Sequence, residues 1–288
     1  MIRKRFASIA LGLLILCAAC TRGESFVPKI VPAGQYERIV SLTPSLTEIL
    51  FALGAGDRVK GVTAWCNHPP EAAALPRVGD FLKPNMEAML SIKPDLVVLA
   101  ATGNLLRESY DNLLRFDFEV LVVWNNTIDE TLAAVGEIGR VLELDQNAAD
   151  LEKKIRRDLA AGRERFSSLR SQRILWVMGR KPIVAVGEGT FQNELIELVG
   201  GINVAEGMGA WPVLNTEFVL ATDPDIIVDS AMGTARDDDH WKEFATLSAV
   251  RANRIFPLDS DLVYRPGPRM AEGLILFGQT LSGEISSR

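Results

Sequence analysis

The residues able to do covalent or metal chemistry are few. Histidine occurs twice, at His68 and His240, and cysteine three times, at Cys17, Cys20 and Cys66, in 288 residues. Two histidines far apart do not make a zinc or manganese centre of the usual kind, so no resident metal or other cofactor is expected. His68 is left as a weak candidate axial ligand to a metal that arrives inside a chelate. Cys66, with no nearby basic partner beyond His68, reads as a small buried hydrophobe rather than a nucleophile. The chain contains no Gly-x-Ser-x-Gly elbow, P-loop, His-Glu-x-x-His or Cys-x-x-Cys, and Gly187-Glu188-Gly189 reads as a turn. What remains is aromatic: Trp65 and Trp211 in proline-bounded loops, and Trp124 after an apolar strand-like run. Such rings cover a large planar ligand at low rotamer cost. Trp176 and Trp241 read as core. Arg265 is a cation available to a ligand phosphate or carboxylate, or to Asp261 four residues earlier.

Positioning these side chains takes a frame, and the frame is written twice. Arg38-Ile-Val-Ser-Leu leads into a helix with Glu48 six residues before Gly54; Arg173-Ile-Leu-Trp-Val leads to a helix with Glu194 six residues before Gly200. Glu87 precedes Pro94-Asp95 by seven residues, Glu217 precedes Pro224-Asp225 by seven, and each Pro-Asp opens a continuous apolar strand. Glu119–Trp124 and Arg254–Asp259 then close the two halves as strands, with helices after Ile128 and after Pro268. Between the halves, Leu144, Ala148, Leu151, Ile155, Leu159, Gly162, Phe166 and Leu169 form the apolar stripe of one long helix. The expected fold is α/β: two Rossmann-like lobes with central parallel sheets, residues 36–143 and 172–288, joined by a linking helix over 144–171. A helical hinge is stiff, so a ligand between the lobes meets a mostly preformed cleft.

The beginning of the chain is not part of that frame. Arg3, Lys4 and Arg5 followed by the apolar Ile9–Leu16 read as a secretory signal over residues 1–19, and Cys17-Ala18-Ala19-Cys20 resembles a bacterial lipobox with Cys20 as the lipidated residue. Residues 20–35, with two prolines and two glycines, read as a tether. The full chain carries 31 basic and 37 acidic residues; removal of the three basic residues of the signal leaves 28 against 37, or −9. An acid of that strength is a poor nucleic-acid binder. Localisation is expected to be periplasmic or on the outer face of the cytoplasmic membrane.

Arg38–Gly54, Gly61–Glu71, Lys93–Val97 and Arg265-Pro-Gly-Pro-Arg269, in this order, resemble the helical-backbone substrate-binding proteins of ABC importers, most of all their cobalamin-binding members. The resemblance spans residues 36–285 and implies a transport component, not an enzyme. It implies a cleft lined by Trp65, Asn67, His68, Phe81, Trp211, Asp261 and Arg265. One aromatic of the family's pattern is Ala100 here, and Trp124 is the candidate replacement. It also implies that one exposed glutamate per lobe, Glu87 and Glu217, docks onto arginines of a permease dimer served by ATPase subunits. The ligand so implied is cobalamin or a related corrinoid, with ferric siderophore and haem as alternatives and a two-lobed chelatase-like enzyme as the rival class. A monomer is expected.

Overall fold

A computed structural model of the chain describes residues 27–80, 83–101, 106–166, 171–231 and 238–284. In the first lobe the uninterrupted apolar runs become short strands buried on both faces: β1 (Ile39–Ser41), β2 (Val59–Val62), β3 (Leu96–Ala100) and β4 (Val120–Val123). They form one parallel sheet in the order β2-β1-β3-β4. Helices α1 (Pro44–Ala52), α2 (Pro70–Ala73), α3 (Met86–Ile92) and α4 (Leu106–Leu114) make the crossovers, and α5 (Ile128–Val141) follows the last strand. Side chains alternate across the sheet as strand geometry requires. Along β3, Leu96, Val98 and Ala100 enter one apolar cluster, while Val97 and Leu99 face the opposite one with Met89, Tyr110 and Leu113.

Helix α6 (Asp145–Phe166) runs from the first lobe to the second, and its 22 residues reach about 33 Å. Its buried stripe is Ala148, Leu151, Ile155, Leu159, Gly162 and Phe166, six of the eight stripe positions read from the sequence. Leu169 lies outside the described residues.

The second lobe contains β5 (Arg173–Arg180), β6 (Ile183–Ala185), α7 (Phe191–Leu198), β7 (Ile202–Asn203), β8 (Val213–Leu214), α8 (Thr216–Thr222), β9 (Ile226–Asp229), α9 (Asp238–Lys242), α10 (Ser248–Arg251), β10 (Ile255–Pro257), α11 (Asp261–Tyr264) and α12 (Met270–Ser282). Here the sheet corrects the expectation of a purely parallel arrangement. β10, β9, β5 and β7 pair in parallel, but β6 pairs antiparallel with β5 and with β8. The cause is local: only Lys181 and Pro182 separate β5 from β6, and a two-residue connection has to reverse the chain.

The repeat read from the sequence has a matching physical basis in both lobes. Helices α3 and α8 each start at an asparagine whose side chain accepts a backbone N–H two residues into the helix, Asn85 from Ala88 and Asn215 from Phe218. Each ends on a residue in the left-handed conformation, Lys93 and Asp223. Each is followed by an aspartate that clamps the first strand of its lobe. Asp95 accepts from the N–H groups of Glu37 and Arg38 at 2.9 and 3.0 Å, and Asp225 accepts from that of Arg173 at 2.8 Å. The Pro-Asp pair therefore marks a strand start because its carboxylate satisfies otherwise unpaired backbone donors.

One apolar cluster is common to both lobes. It joins the inner faces of the two sheets to α1, α5, α6, α7 and α12, and includes Leu46, Val98, Ile155, Trp176, Leu195 and Leu274. Trp176 stacks on Phe277 with ring centroids 4.7 Å apart. Helices α6 and α12 meet closely because Gly278 has no side chain: a Cβ there would lie 2.4 Å from the Phe166 ring. The N-terminal segment joins this lobe before Tyr36, since Val31 is buried, Lys29 N–H donates to the Tyr110 hydroxyl and Gly34 N–H donates to the Val141 carbonyl. Residues 1–26, including the signal and Cys20, lie outside the described residues.

Removing the strand clamps is expected to cost stability in proportion to the donors left unpaired. Asp95→Ala should lower unfolding free energy by about 1–2 kcal/mol and Asp225→Ala by about 1 kcal/mol, measured as shifts in the urea midpoint at constant slope.

Candidate functional site

The carboxyl ends of β1, β3 and β4 in the first lobe face loops of the second, and a cavity of about 490 Å³ lies between them. Parallel sheets place ligands at such strand ends, where backbone groups leave the ladder and loops diverge. From the first lobe the cavity is lined by Thr43 and Ser45, two and four residues past β1, by Ala100 at the end of β3, and by Asn125 and Asn126, two and three residues past β4. From the second lobe come Gly189, Thr190, Phe191 and Gln192 at the start of α7, Ala210 and Trp211 from the loop before β8, and Tyr264 with Pro266. No charged side chain lines this cavity among the described residues.

Several contacts hold the wall in place. Asn125 donates to the Ser45 hydroxyl at 2.7 Å, which joins two strand-end loops, and Gln192 donates to the Val263 carbonyl at 2.9 Å. Tyr264 donates to the Leu258 carbonyl at 3.0 Å, and burial holds its hydroxyl up at about 12, so it stays a donor. The Trp211 loop can approach α7 only because position 187 is glycine: a Cβ there would lie 1.8 Å from the Gly209 carbonyl oxygen. Gly187 N–H donates to the Ala210 carbonyl at 2.8 Å, so the turn read at Gly187–Gly189 is where the second lobe's wall is tied together.

The sequence candidates fall in several places. Trp211 lines the cleft cavity and is 49% exposed. Trp65 stands 66% exposed outside that lining. Trp124, 43% exposed, lines a smaller cavity of about 290 Å³ with Ile30, Val31 and Glu130. His68 lines a third cavity, of about 680 Å³, with Glu48, Lys60, Glu71 and Arg269. Phe81 lies outside the described residues. Trp176 and Trp241 are buried, and Trp241 donates its ring N–H to Asp229. Cys66 is buried against the hydroxyls of Thr47 and Thr63 at 3.2 and 3.1 Å. Among the described residues no three His, Cys, Asp or Glu side chains come together as a metal-binding group, and no helix is long and apolar enough to cross a membrane.

Asp261, Arg265 and Asn67 are brought together, but with each other. Arg265 pairs with Asp261 at 2.8 Å and donates to the Asn67 amide oxygen at 2.6 Å, while Asn67 donates to Asp261 at 3.1 Å. Its guanidinium also lies 3.9 Å from Glu48. The ion pair of Arg265 with Asp261 lies within the second lobe, and Asn67 from the first lobe joins both of its members. Beside it Arg269 forks onto Glu48 with two hydrogen bonds of 2.8 and 2.6 Å, and Glu48 is buried. Arg265-Pro-Gly-Pro-Arg269 is therefore a two-arginine clasp on the carboxylates of Glu48 and Asp261.

Thr43, Ser45, Asn125, Asn126, Phe191, Gln192 and Tyr264 were not singled out by the sequence reading. The signal that could have found most of them is position: each of the first four follows a strand by two to four residues.

The periplasmic binding protein family model matches residues 39–262, and the chain belongs to this family of exported transport components, which are not enzymes. Its relatives include the vitamin B12-binding protein of Vibrio cholerae, 31% identical over 266 residues that cover 91% of this chain and 94% of that one. The crystal structure of the periplasmic vitamin B12-binding protein of Vibrio cholerae superposes with a TM-score of 0.69 at 29% identity, covering 86% of this chain and 97% of the other. The periplasmic heme-binding protein of Roseiflexus in its apo form gives a TM-score of 0.74 at 26% identity, covering 87% and 99%.

Because Glu48 is buried and compensated mainly by Arg269, Arg269→Ala should leave a poorly paired buried charge. The expected loss is about 3 kcal/mol or more, measured by urea unfolding, with a smaller loss in Arg269→Lys.

Proposed function

We propose that this protein is the binding component of an ABC importer, which captures cobalamin or a related corrinoid between its lobes and delivers it to the permease. The observation that carries the ligand assignment is the uncharged cleft. Its described wall combines three aromatic rings, Phe191, Trp211 and Tyr264, with hydroxyls and amides at Thr43, Ser45, Asn125, Asn126, Thr190 and Gln192. A corrin ring edged with carboxamides matches this set, by apolar contact on its faces and neutral hydrogen bonds at its rim. Haem brings two carboxylates that call for cations, and Arg265 and Arg269 are already held by Asp261 and Glu48. Trp65, Asn67 and His68 then form the outer rim, and any cobalt or iron stays within its own chelate. Cys20 anchors the exported chain through lipid.

Glu87 and Glu217 supply the docking geometry. Both are exposed, both occupy the second position of a seven-residue helix with the same cap, and each is followed three residues later by an exposed leucine, Leu90 at 45% and Leu220 at 42%. Two equivalent acid-plus-leucine patches, one per lobe, suit a partner with twofold symmetry such as a permease dimer. Wet ion pairs of this kind set orientation and encounter rate more than affinity.

Calorimetric titration of the purified protein should show saturable binding of cyanocobalamin and none of haemin or ferric chelates. Saturation by a chelate with no heat from cyanocobalamin would overturn the ligand assignment. The double variant Glu87→Lys/Glu217→Lys should abolish uptake by cells while cyanocobalamin affinity stays unchanged; weakened binding by the pure protein would sink the docking role.

A further inference from the structure

Trp124 stands outside the cleft cavity, against a segment that composition alone assigns to the tether. Lys29 N–H donates to the Tyr110 hydroxyl at 2.8 Å, Arg140 donates to the Val31 carbonyl at 2.9 Å, and Gly34 N–H donates to the Val141 carbonyl at 3.0 Å. Val31 is buried in the apolar cluster with Leu121, Val123 and Ala134. The segment is thus a strap laid along β4 and α5. The stretch between Cys20 and the described lobe shrinks to residues 20–26, which span at most about 25 Å.

The strap has a direction. Pro28, Lys29, Ile30 and Val31 line a cavity with Trp124, one residue past β4, and with Glu130 in the first turn of α5. Gly34 meets Val141, the last residue of α5. The chain therefore joins the lobe at the carboxyl ends of the strands, the end that opens into the cleft, and descends to the other end, where β1 begins. Helix α3 runs the same way. Its last residue, Ile92, accepts from the Arg38 side chain at 2.8 Å beside the start of β1, so Glu87 in its first turn points back to the cleft end. At that end the strap is apolar on its outside: Val27 is 80% exposed, Ile30 89% and Trp124 43%. The acids of the same hollow are taken, Glu130 by the Asn126 backbone and amide and Glu137 by Arg140.

We propose that Val27, Ile30 and Trp124 form a surface that rests on a lipid bilayer, so that the strap turns the anchored protein with its cleft end and Glu87 toward the membrane. This rests on the reading of Cys20 as the lipid-bearing residue. Grouped exposed apolar side chains mark a contact surface. Lipid is the occupant because the covalent reach from Cys20 holds this one within about 25 Å of the bilayer, and an indole flanked by aliphatic side chains suits the membrane–water interface. A tether over all of residues 20–35 would let the lobe turn freely. One that stops at residue 26, at the cleft end, keeps that end nearest the membrane, where a permease lies.

The test places a fluorophore at position 29 or 153, by click coupling to an azide-bearing residue in place of Lys29 or of Lys153, which is exposed on α6. The lipid-modified mature chain is bound to phosphatidylcholine vesicles that contain phosphatidylcholine with a nitroxide headgroup. Quenching at position 29 should exceed that at position 153 severalfold. Val27→Ser/Ile30→Ser/Trp124→Ser should remove the excess with circular dichroism unchanged, and Ile30→Ser alone, at a fully solvated side chain, should lower it. Equal quenching at the two positions, or an excess that survives these substitutions, would overturn the bilayer contact. Mass spectrometry of the same preparation reads the lipid on Cys20 directly. If it is absent the anchoring reading fails, and the same comparison on a chain beginning at residue 20, with Cys20 coupled to a maleimide lipid, still decides the surface.

Discussion

The two lobes are held by packing on one shared helix, α6, which takes a helix from each. Each sheet needs a cover on two sides; the outer sides are covered locally, by α3 and α4 in one lobe and by α8, α9 and α10 in the other. On the inner sides α5 of the first lobe and α12 of the second both pack on α6, and one apolar cluster continues from Ile39 in the first lobe to Phe277 near the end of the chain. Two lobes with separate cores joined by a linker would move freely. A shared core removes that freedom, because opening the lobes widely would expose apolar surface at about 25 cal/mol per Å². The stiffness of the cleft is thus a property of packing as much as of the helical connection.

That shared core places the strand ends of both lobes opposite each other with little latitude, and the polar contacts across the gap complete the arrangement. Glu48 with Arg269, Asn67 with Asp261 and Arg265, and Glu194 with the start of α5 are all spans between lobes. They surround a cleft whose own described lining is neutral. Charge is used to join the lobes, while rings and amides line the described cleft wall.

The internal repeat explains why exposed and lobe-crossing glutamates appear in pairs. Duplicate helices with duplicate caps present Glu87 with Leu90 and Glu217 with Leu220. Duplicate helices on the inner side present Glu48 and Glu194. The outer pair has stayed alike, as a symmetric partner would require. The inner pair differs in its surroundings, one carboxylate meeting arginine and the other the backbone N–H of a helix end.

Features set by local periodicity were legible in the sequence: the strands, the stripe of α6, the capped helices, the glutamate spacings and the two-lobed α/β order. Each depends on residues a few positions apart, and side-chain period or turn chemistry reports on that range directly. The mixed pairing of the second sheet was missed although Lys181-Pro182 carries its cause, because a short turn is a weaker signal than an apolar run. The membership of the cleft was decided only by tertiary structure. Trp65, Trp124 and Trp211 look equivalent as loop aromatics, yet only Trp211 lines the described cavity, since the Gly187–Gly209 approach turns its loop inward. Arg265 reads as a ligand cation until Asn67, 198 residues away in sequence, and Asp261 take its donors. No spacing rule reaches across such distances; the direction of a loop side chain is fixed by whichever distant partner satisfies it, and that partner is known only once the chain has folded.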